Sequence, residues 1–291
     1  MSVRALVVGG TNGIGYAVAC RVAAAAASAG GSSPSSIIIS GRTKPEKLPH
    51  SNMEFRQLDA STMRSIKQYT DAFKFSAAGQ QLDLLIMSQG IMTVAGRTET
   101  SEGIDRKMAL HYYGRQLLIR ELLPVLKEDA KVVIVLDGQT GNPDKLVWED
   151  LDLKTHYNLS NAANHCLVMT DAMVQYYATQ QQRSGTGKRH FVHAFPGIVS
   201  TNLAQELPWY LRPALRLTGR LVGVSADTCA EYLLNGVTES SAAGEKEGRF
   251  WSNLNGKGQP VPDKLVWSEE KMEKIADHTW GVIDGALKSS S

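Results

Sequence analysis

Gly9, Gly13 and Gly15 follow one another as G-x-x-x-G-x-G, directly after the apolar run Ala5-Leu6-Val7-Val8 and directly before a helical stretch carrying Val18, Val22 and the alanines 23–27. Glycines at this spacing between a strand and a helix suit the binding of a pyrophosphate. Gly9 and Gly13 let the backbone turn and approach phosphate oxygens, and Gly15 lets helix and strand pack closely. Thr11, Asn12 and Ile14 fill the intervening positions, where backbone N–H groups at the new helix's N-terminus face the anion. An ordinary turn also collects glycines; the flanking strand and helix are what favour the phosphate reading.

The elements that must hold this turn are legible as an alternation. Strand-like apolar runs recur at 5–8, 37–40, 82–87, 131–136 and 190–194, with helical stretches between most of them. Met108, Leu117, Leu118, Leu122 and Leu126 fall at helical intervals over 104–127, as do Ala162, Cys166, Met169, Met173 and Tyr177 over 159–182. The pattern predicts an α/β fold: a doubly wound parallel sheet of Rossmann type in three α/β/α layers, built as a single domain over residues 1–291. The biased stretch 29–36 reads as a loop within that domain.

Composition narrows the function classes. A net charge of +2 with 21% charged residues, and no clustering of Lys and Arg, leaves no footprint for nucleic acid. Cys20, Cys166 and Cys229 are far apart with no C-x-x-C, so neither a disulfide framework nor a metal site is expected. The first strand begins almost at once and no apolar run approaches a membrane span, so a soluble cytoplasmic protein, not an integral membrane one, is the expectation.

With the turn and the alternation in place, the chain resembles the short-chain dehydrogenase/reductase family over nearly its whole length. Leu58-Asp59-Ala60 resembles the family's acidic motif after the third strand, which contacts adenine. Met87-Ser88-Gln89-Gly90 occupies the place of N-N-A-G. Phe195-Pro196-Gly197-Ile198-Val199-Ser200-Thr201 resembles the P-G-x-x-x-T that embraces nicotinamide. The resemblance thus implies a dinucleotide held by Gly9, Thr11, Asn12, Gly13, Ile14, Gly15, Asp59, Ser88, Gln89, Gly90, Pro196, Gly197, Ile198 and Thr201, and homodimers or homotetramers are its usual assemblies. Ser40-Gly41-Arg42-Thr43 ends the second strand where the adenosine ribose belongs. An acidic residue there would repel a 2′-phosphate, whereas Arg42 can pair with one, with Thr43 and Thr11 adding hydroxyls. NADP(H) is the expected cofactor, against the alternative of a solvent-exposed arginine.

The catalytic pattern departs from the family's. That pattern is a Tyr, a Lys four residues later, a Ser on the fifth strand and an Asn on the fourth helix. Tyr157-Asn158-Leu159-Ser160-Asn161 overlays Y-x-x-S-K with Asn161 in the place of Lys. A phenol titrates near about 10, and a neutral amide supplies no charge to favour phenolate. Val135-Leu136-Asp137-Gly138-Gln139-Thr140-Gly141 aligns with S-S-x-x-G and puts Gly138 at the serine, with Asp137 beside it. His111-Tyr112-Tyr113-Gly114 puts His111 in the place of Asn. Two readings stay open: Tyr157 and His111 as structural residues, or Tyr157 as proton donor with His111 and Asp137 as base and carboxylate and Asn161 on Tyr157's helix face.

Residues 203–224, with Leu207, Trp209, Tyr210, Leu211, Leu215 and Leu217, read as a substrate lid whose apolar content fits a hydrophobic small molecule. Arg212, Arg216 and Arg220 form either a solvated face or a cationic stripe. The leading expectation is NADPH-dependent reduction of a carbonyl or imine in an apolar compound. A redox-neutral cyclase, isomerase or lyase that keeps the cofactor site is the first alternative, and a non-catalytic NADP(H)-binding protein the second.

Overall fold

The computed structural model describes residues 2–29, 34–76, 79–199, 207–210, 213 and 223–289. Strands β1 (Arg4–Val8), β2 (Ser36–Gly41), β3 (Met53–Gln57), β4 (Leu82–Met87), β5 (Leu126–Val135), β6 (His190–Ala194) and β7 (Trp251–Leu254) form one parallel sheet. Their order is β3-β2-β1-β4-β5-β6-β7, the expected doubly wound topology in a single domain. Helices α1 (Gly13–Ser28), α2 (Met63–Ser76), α3 (Arg106–Met108), α4 (Gly114–Leu122), α5 (Leu159–Ser184), α6 (Ala226–Glu247) and α7 (Glu269–Lys288) cover it.

The central strands are continuously apolar because both faces of the sheet are covered. Alternation along each strand sends Leu6, Val8 and Ile38 into the core beneath α2, α4, α5 and α7, and Ala5, Val7, Ile37 and Ile39 into the core beneath α1 and α6. Each such side chain stabilises the fold by about 1.5–3 kcal/mol when fully buried. Side-chain caps fix where the helices begin: Asn12 for α1, Asn158 for α5 and Ser225 for α6. Gly185 and Gly248, both left-handed, close α5 and α6.

The expected helix over 104–127 is not continuous. A π-helical turn, Ala109–Tyr113, separates α3 from α4, and a 3₁₀ turn at Leu123–Val125 ends the run because Pro124 has no N–H to continue it. Leu126 and Lys127 belong to β5, where Leu126 pairs with Leu82 before the register shifts. Strand β7 is the element least visible as a pattern, since its Ser252 and Asn253 are polar yet 6% and 3% exposed. Ser252 Oγ meets His190 Nε2, and Asn253 Nδ2 donates to Asp171 Oδ1. Cys20, Cys166 and Cys229 are free thiols. No described helix is long and apolar enough to cross a membrane.

Candidate cofactor cleft and active site

All strands are parallel, so the ends of β1, β2, β3, β4 and β6 share one rim, and the order reverses between β2-β1 and β4. A crevice opens at such a switch point. Gly9 sits there with φ +79°. A Cβ on Gly9 would lie 2.5 Å from Gln89 N, and one on Gly15 would lie 2.3 Å from Ser88 Oγ and 2.4 Å from Gly9 O. The turn is therefore pressed onto the end of β4, which only glycine permits. Asn12 Oδ1 accepts from Gly13 N–H at 2.7 Å and so caps α1, whose first N–H groups have no intrahelical acceptor. Ile14 packs into the core beside α1.

Thr11 lies against the end of β2: a Cβ on Gly41 would come within 2.7 Å of its Oγ1. Arg42 and Thr43 follow, both exposed, and Gln57 Nε2 donates to Arg42 O at 3.1 Å. Leu58 N–H donates to Gly41 O at 3.0 Å, which carries the exposed Asp59 to the same rim. Asp59 Oδ1 caps the following turn, accepting from Ser61 N–H at 3.0 Å and Ser61 Oγ at 2.7 Å. Ser88 N–H donates to Val8 O at 2.9 Å. Gln89 is 7% exposed, and neither its Oε1 nor its Nε2 has a partner among the described residues. On β6's side, Gly197 takes φ +74°, Cys229 Sγ donates to Pro196 O and Val224 N–H to Ile198 O, leaving Ile198 half exposed. Thr201 lies outside the described residues, as does most of 203–224, including Arg212, Arg216 and Arg220. Trp209 and Tyr210, which are described, are exposed and meet edge-on.

Among the described residues, none of the four candidate catalytic side chains hydrogen-bonds another. His111 Nε2 accepts from Ile91 N–H at 3.0 Å. Burial lowers its pKa to about 3, and the charges of Arg115 and Lys107 act the same way. Of the two readings open for His111, this geometry favours the structural one over a titratable base: burial disfavours the charged ring, and its one lone pair is engaged. Asp137 is also diverted: Oδ1 accepts from Gln139 and Thr140 N–H and Oδ2 from Thr140 Oγ1, so the carboxylate holds its own turn and does not pair with His111. Asn161 Nδ2 donates to His156 O at 2.9 Å. Tyr157, just before the Asn158 cap, packs partly against the core, and its hydroxyl is buried without a partner.

Two residues of this region make buried backbone contacts that the sequence analysis missed. Lys107, 8% exposed, donates to Ala95 O at 3.1 Å and Gly96 O at 2.9 Å. Arg115, 1% exposed, donates to Leu110 O, Val135 O and Gln89 O. Burial lowers the Arg115 pKa to about 9, which leaves it charged at neutral pH. Lys107, His111 and Arg115 recur every four residues, and all three bind backbone of the segment that runs on from β4. That spacing of basic residues was the available signal. A buried network elsewhere also went unread: His193 Nδ1 meets Asp171 Oδ1 at 2.6 Å, and Lys264 Nζ lies 2.6 Å from Asp171 Oδ2.

Comparison with known proteins agrees with this geometry. The family model for short chain dehydrogenase matches residues 4–142. Oxidoreductase AN1596 of Emericella nidulans is 34% identical over 215 residues, covering 69% of this chain and 60% of that protein. Polyprenol dehydrogenase of Homo sapiens is 28% identical over 232 residues, covering 77% of this chain and 68% of that protein. The chain spans about three fifths of the length of the Emericella relative. An NADPH-bound carbonyl reductase from chicken fatty liver has the same fold, with a TM-score of 0.59 at 17% identity, covering 92% of this chain and 100% of that one. Sheet order, glycine turn and these matches together place the chain in the short-chain dehydrogenase/reductase superfamily.

Proposed function

We propose that this chain is an NADP(H)-dependent oxidoreductase that interconverts a carbonyl or imine with the corresponding alcohol or amine in an apolar small molecule. The observation that carries the reading is the glycine turn pressed on Ser88 and Gln89, with Thr11, Arg42 and Thr43 at its adenosine end. The buried, unpartnered amide of Gln89 beside that turn is a further group for a nucleotide to satisfy. Oxidoreductase and dehydrogenase names among the relatives support the reaction class, and polyprenol dehydrogenase among them supports a long apolar substrate.

When bound, the reduced dinucleotide supplies a hydride. The protein's residues do the rest. The first N–H groups of α1 hold the pyrophosphate, and Arg42 pairs with the 2′-phosphate. Tyr157 holds a proton at Oη for the substrate oxygen or nitrogen; because that hydroxyl is buried, substrate entry has to open it to the cleft, where solvent restores the proton after transfer. His111 keeps Ile91, and with it the end of β4, in place. The redox-neutral alternative has less support, because its two bases are engaged: His111 by Ile91 N–H, and Asp137 by its own turn.

Calorimetric titration with NADPH and NADH tests the cofactor. Tighter binding of NADPH is expected, with the preference reduced by at least about tenfold, or about 1.4 kcal/mol, in Arg42→Glu. Absence of saturable binding for both dinucleotides would overturn the assignment. Loss of NADPH absorbance with apolar aldehydes, ketones and imines tests the reaction. Binding without turnover of any of them favours the non-catalytic alternative, and product that forms equally well with NADP⁺ favours the redox-neutral one.

A further inference from the structure

Asn161, at the position aligned with the family's lysine, turns its amide to His156 O and brings no charge to Tyr157. A positive charge is nonetheless present beside that phenol, on a different helix. Lys107 Nζ stands 5.4 Å from the centroid of the Tyr157 ring, and the Tyr157 hydroxyl is buried without a hydrogen-bond partner. Two of the three ammonium protons go to Ala95 O and Gly96 O. The third donor remains, with Asp105 Oδ2 at 3.6 Å as the flanking counter-charge.

We infer that Lys107, carried by α3, supplies the charge that tunes Tyr157 in place of a lysine on α5. Lys107 is a positioning residue, acting on the reaction through Tyr157. The groups facing the phenol are Lys107, Asp105 and Cys166. Burial raises its pKa, Asp105 and Cys166 act in the same direction, and the charge of Lys107 opposes them. Tyr157 therefore stays protonated at neutral pH, as a proton donor must, while the ammonium stands ready for the phenolate left behind. Lys107 is also one helical turn before His111, which holds Ile91, two residues beyond Gln89 of the cleft.

In the proposed reduction, which rests on the reading above, a bound reduced dinucleotide would supply the hydride to the substrate carbon, and Tyr157 would give its proton to the substrate oxygen. Alcohol, oxidised dinucleotide and phenolate would result, and solvent admitted when the site opens for product release would reprotonate the phenolate.

The test follows the Tyr157 ring carbon by NMR in the full-length chain carrying carbon-labelled tyrosine, with Tyr157→Phe to assign the resonance. Lys107→Met should raise the phenol titration by about one unit or more, Lys107→Arg should restore most of it, and Asp105→Asn should lower it. An unmoved or lowered titration in Lys107→Met, with circular dichroism and unfolding midpoint as in the wild type, overturns the inference. Should Lys107→Met not fold, nitrogen-labelled lysine in the unsubstituted protein decides. The Lys107 resonance must move as Tyr157 ionises and lose that movement in Tyr157→Phe; a resonance indifferent to Tyr157 overturns the inference. Neither measurement needs a substrate or a bound dinucleotide, so both stand apart from the oxidoreductase assignment. With a substrate in hand, Lys107→Met should lower kcat with little change in KM and move the alkaline limb of kcat/KM upward in pH.

Discussion

Gly138, which the family resemblance aligns with a serine, has a steric reason to be glycine. A Cβ there would lie 2.2 Å from His193 O and 2.8 Å from its carbonyl carbon, on the neighbouring strand. Restoring the family's residue by Gly138→Ser should therefore cost about 1–3 kcal/mol and yield no gain in NADPH turnover. A denaturant midpoint equal to the wild type's, or a gain in rate, would show that the loop gives way. Gly15→Ala meets a comparable obstacle, since its new methyl would lie 2.4 Å from Gly9 O. The expected outcome is loss of saturable NADPH binding along with a lowered midpoint, read by calorimetry and by urea unfolding.

On the scale of elements, α3, the π turn and α4 act as a strap across the segment beyond β4. Arg115 is the strap's inner buckle, giving its donors to Gln89 O, Val135 O and Leu110 O from a fully buried position. Arg115→Ala leaves these carbonyls short of a donor and opens a cavity. A destabilisation of at least about 3 kcal/mol is expected, together with weaker dinucleotide binding through Gln89. Urea unfolding and NADPH titration of the same variant check both parts. Arg115→Lys, with one compact ammonium in place of a planar fork, should recover only part of the loss. The π turn lies within this strap and keeps His111 on the side of Ile91.

For the whole molecule, buried titratable groups set the pH range of stability. His111 and His190 have pKa values lowered to about 3 and about 4, both chiefly by burial. They are neutral in the folded chain, whereas an unfolded histidine takes up a proton near about 6.5. Below that value the unfolded state binds more protons, so stability falls as the pH drops from about 6.5. Asp171 adds a later loss. His193 and Lys264 hold its carboxyl below the usual range against the opposing effect of burial. Its contribution is present above the unfolded value near about 4 and disappears as the pH falls through the lower folded one. The urea midpoint should be level between about pH 7 and about 8, decline from about 6.5 and fall further below about 4. A midpoint unchanged between pH 7 and pH 5 would contradict the buried, neutral state of these histidines. His111→Gln, which keeps an acceptor for Ile91 N–H, should flatten the upper part of the decline.

The amino-acid sequence by itself determined the phosphate-type turn, the alternation of strands and helices, and thereby the sheet and the rim on which a cofactor site could lie. Glycine sterics and apolar periodicity act between near neighbours, so Gly9, Gly15, Val7 and Ile38 announce their roles locally. The polar Ser252 and Asn253 hid β7 because their burial depends on partners on β6 and α5, which no local pattern reveals. Side-chain partners were likewise decided by tertiary structure. Asp137 and Asn161 turn to nearby backbone or loop groups, His111 is neutralised by its surroundings, and the charge beside Tyr157 comes from Lys107 on another helix. Such contacts exist only once the helices pack on the sheet, because a side chain's charge and acidity are set by whatever distant residues surround it there.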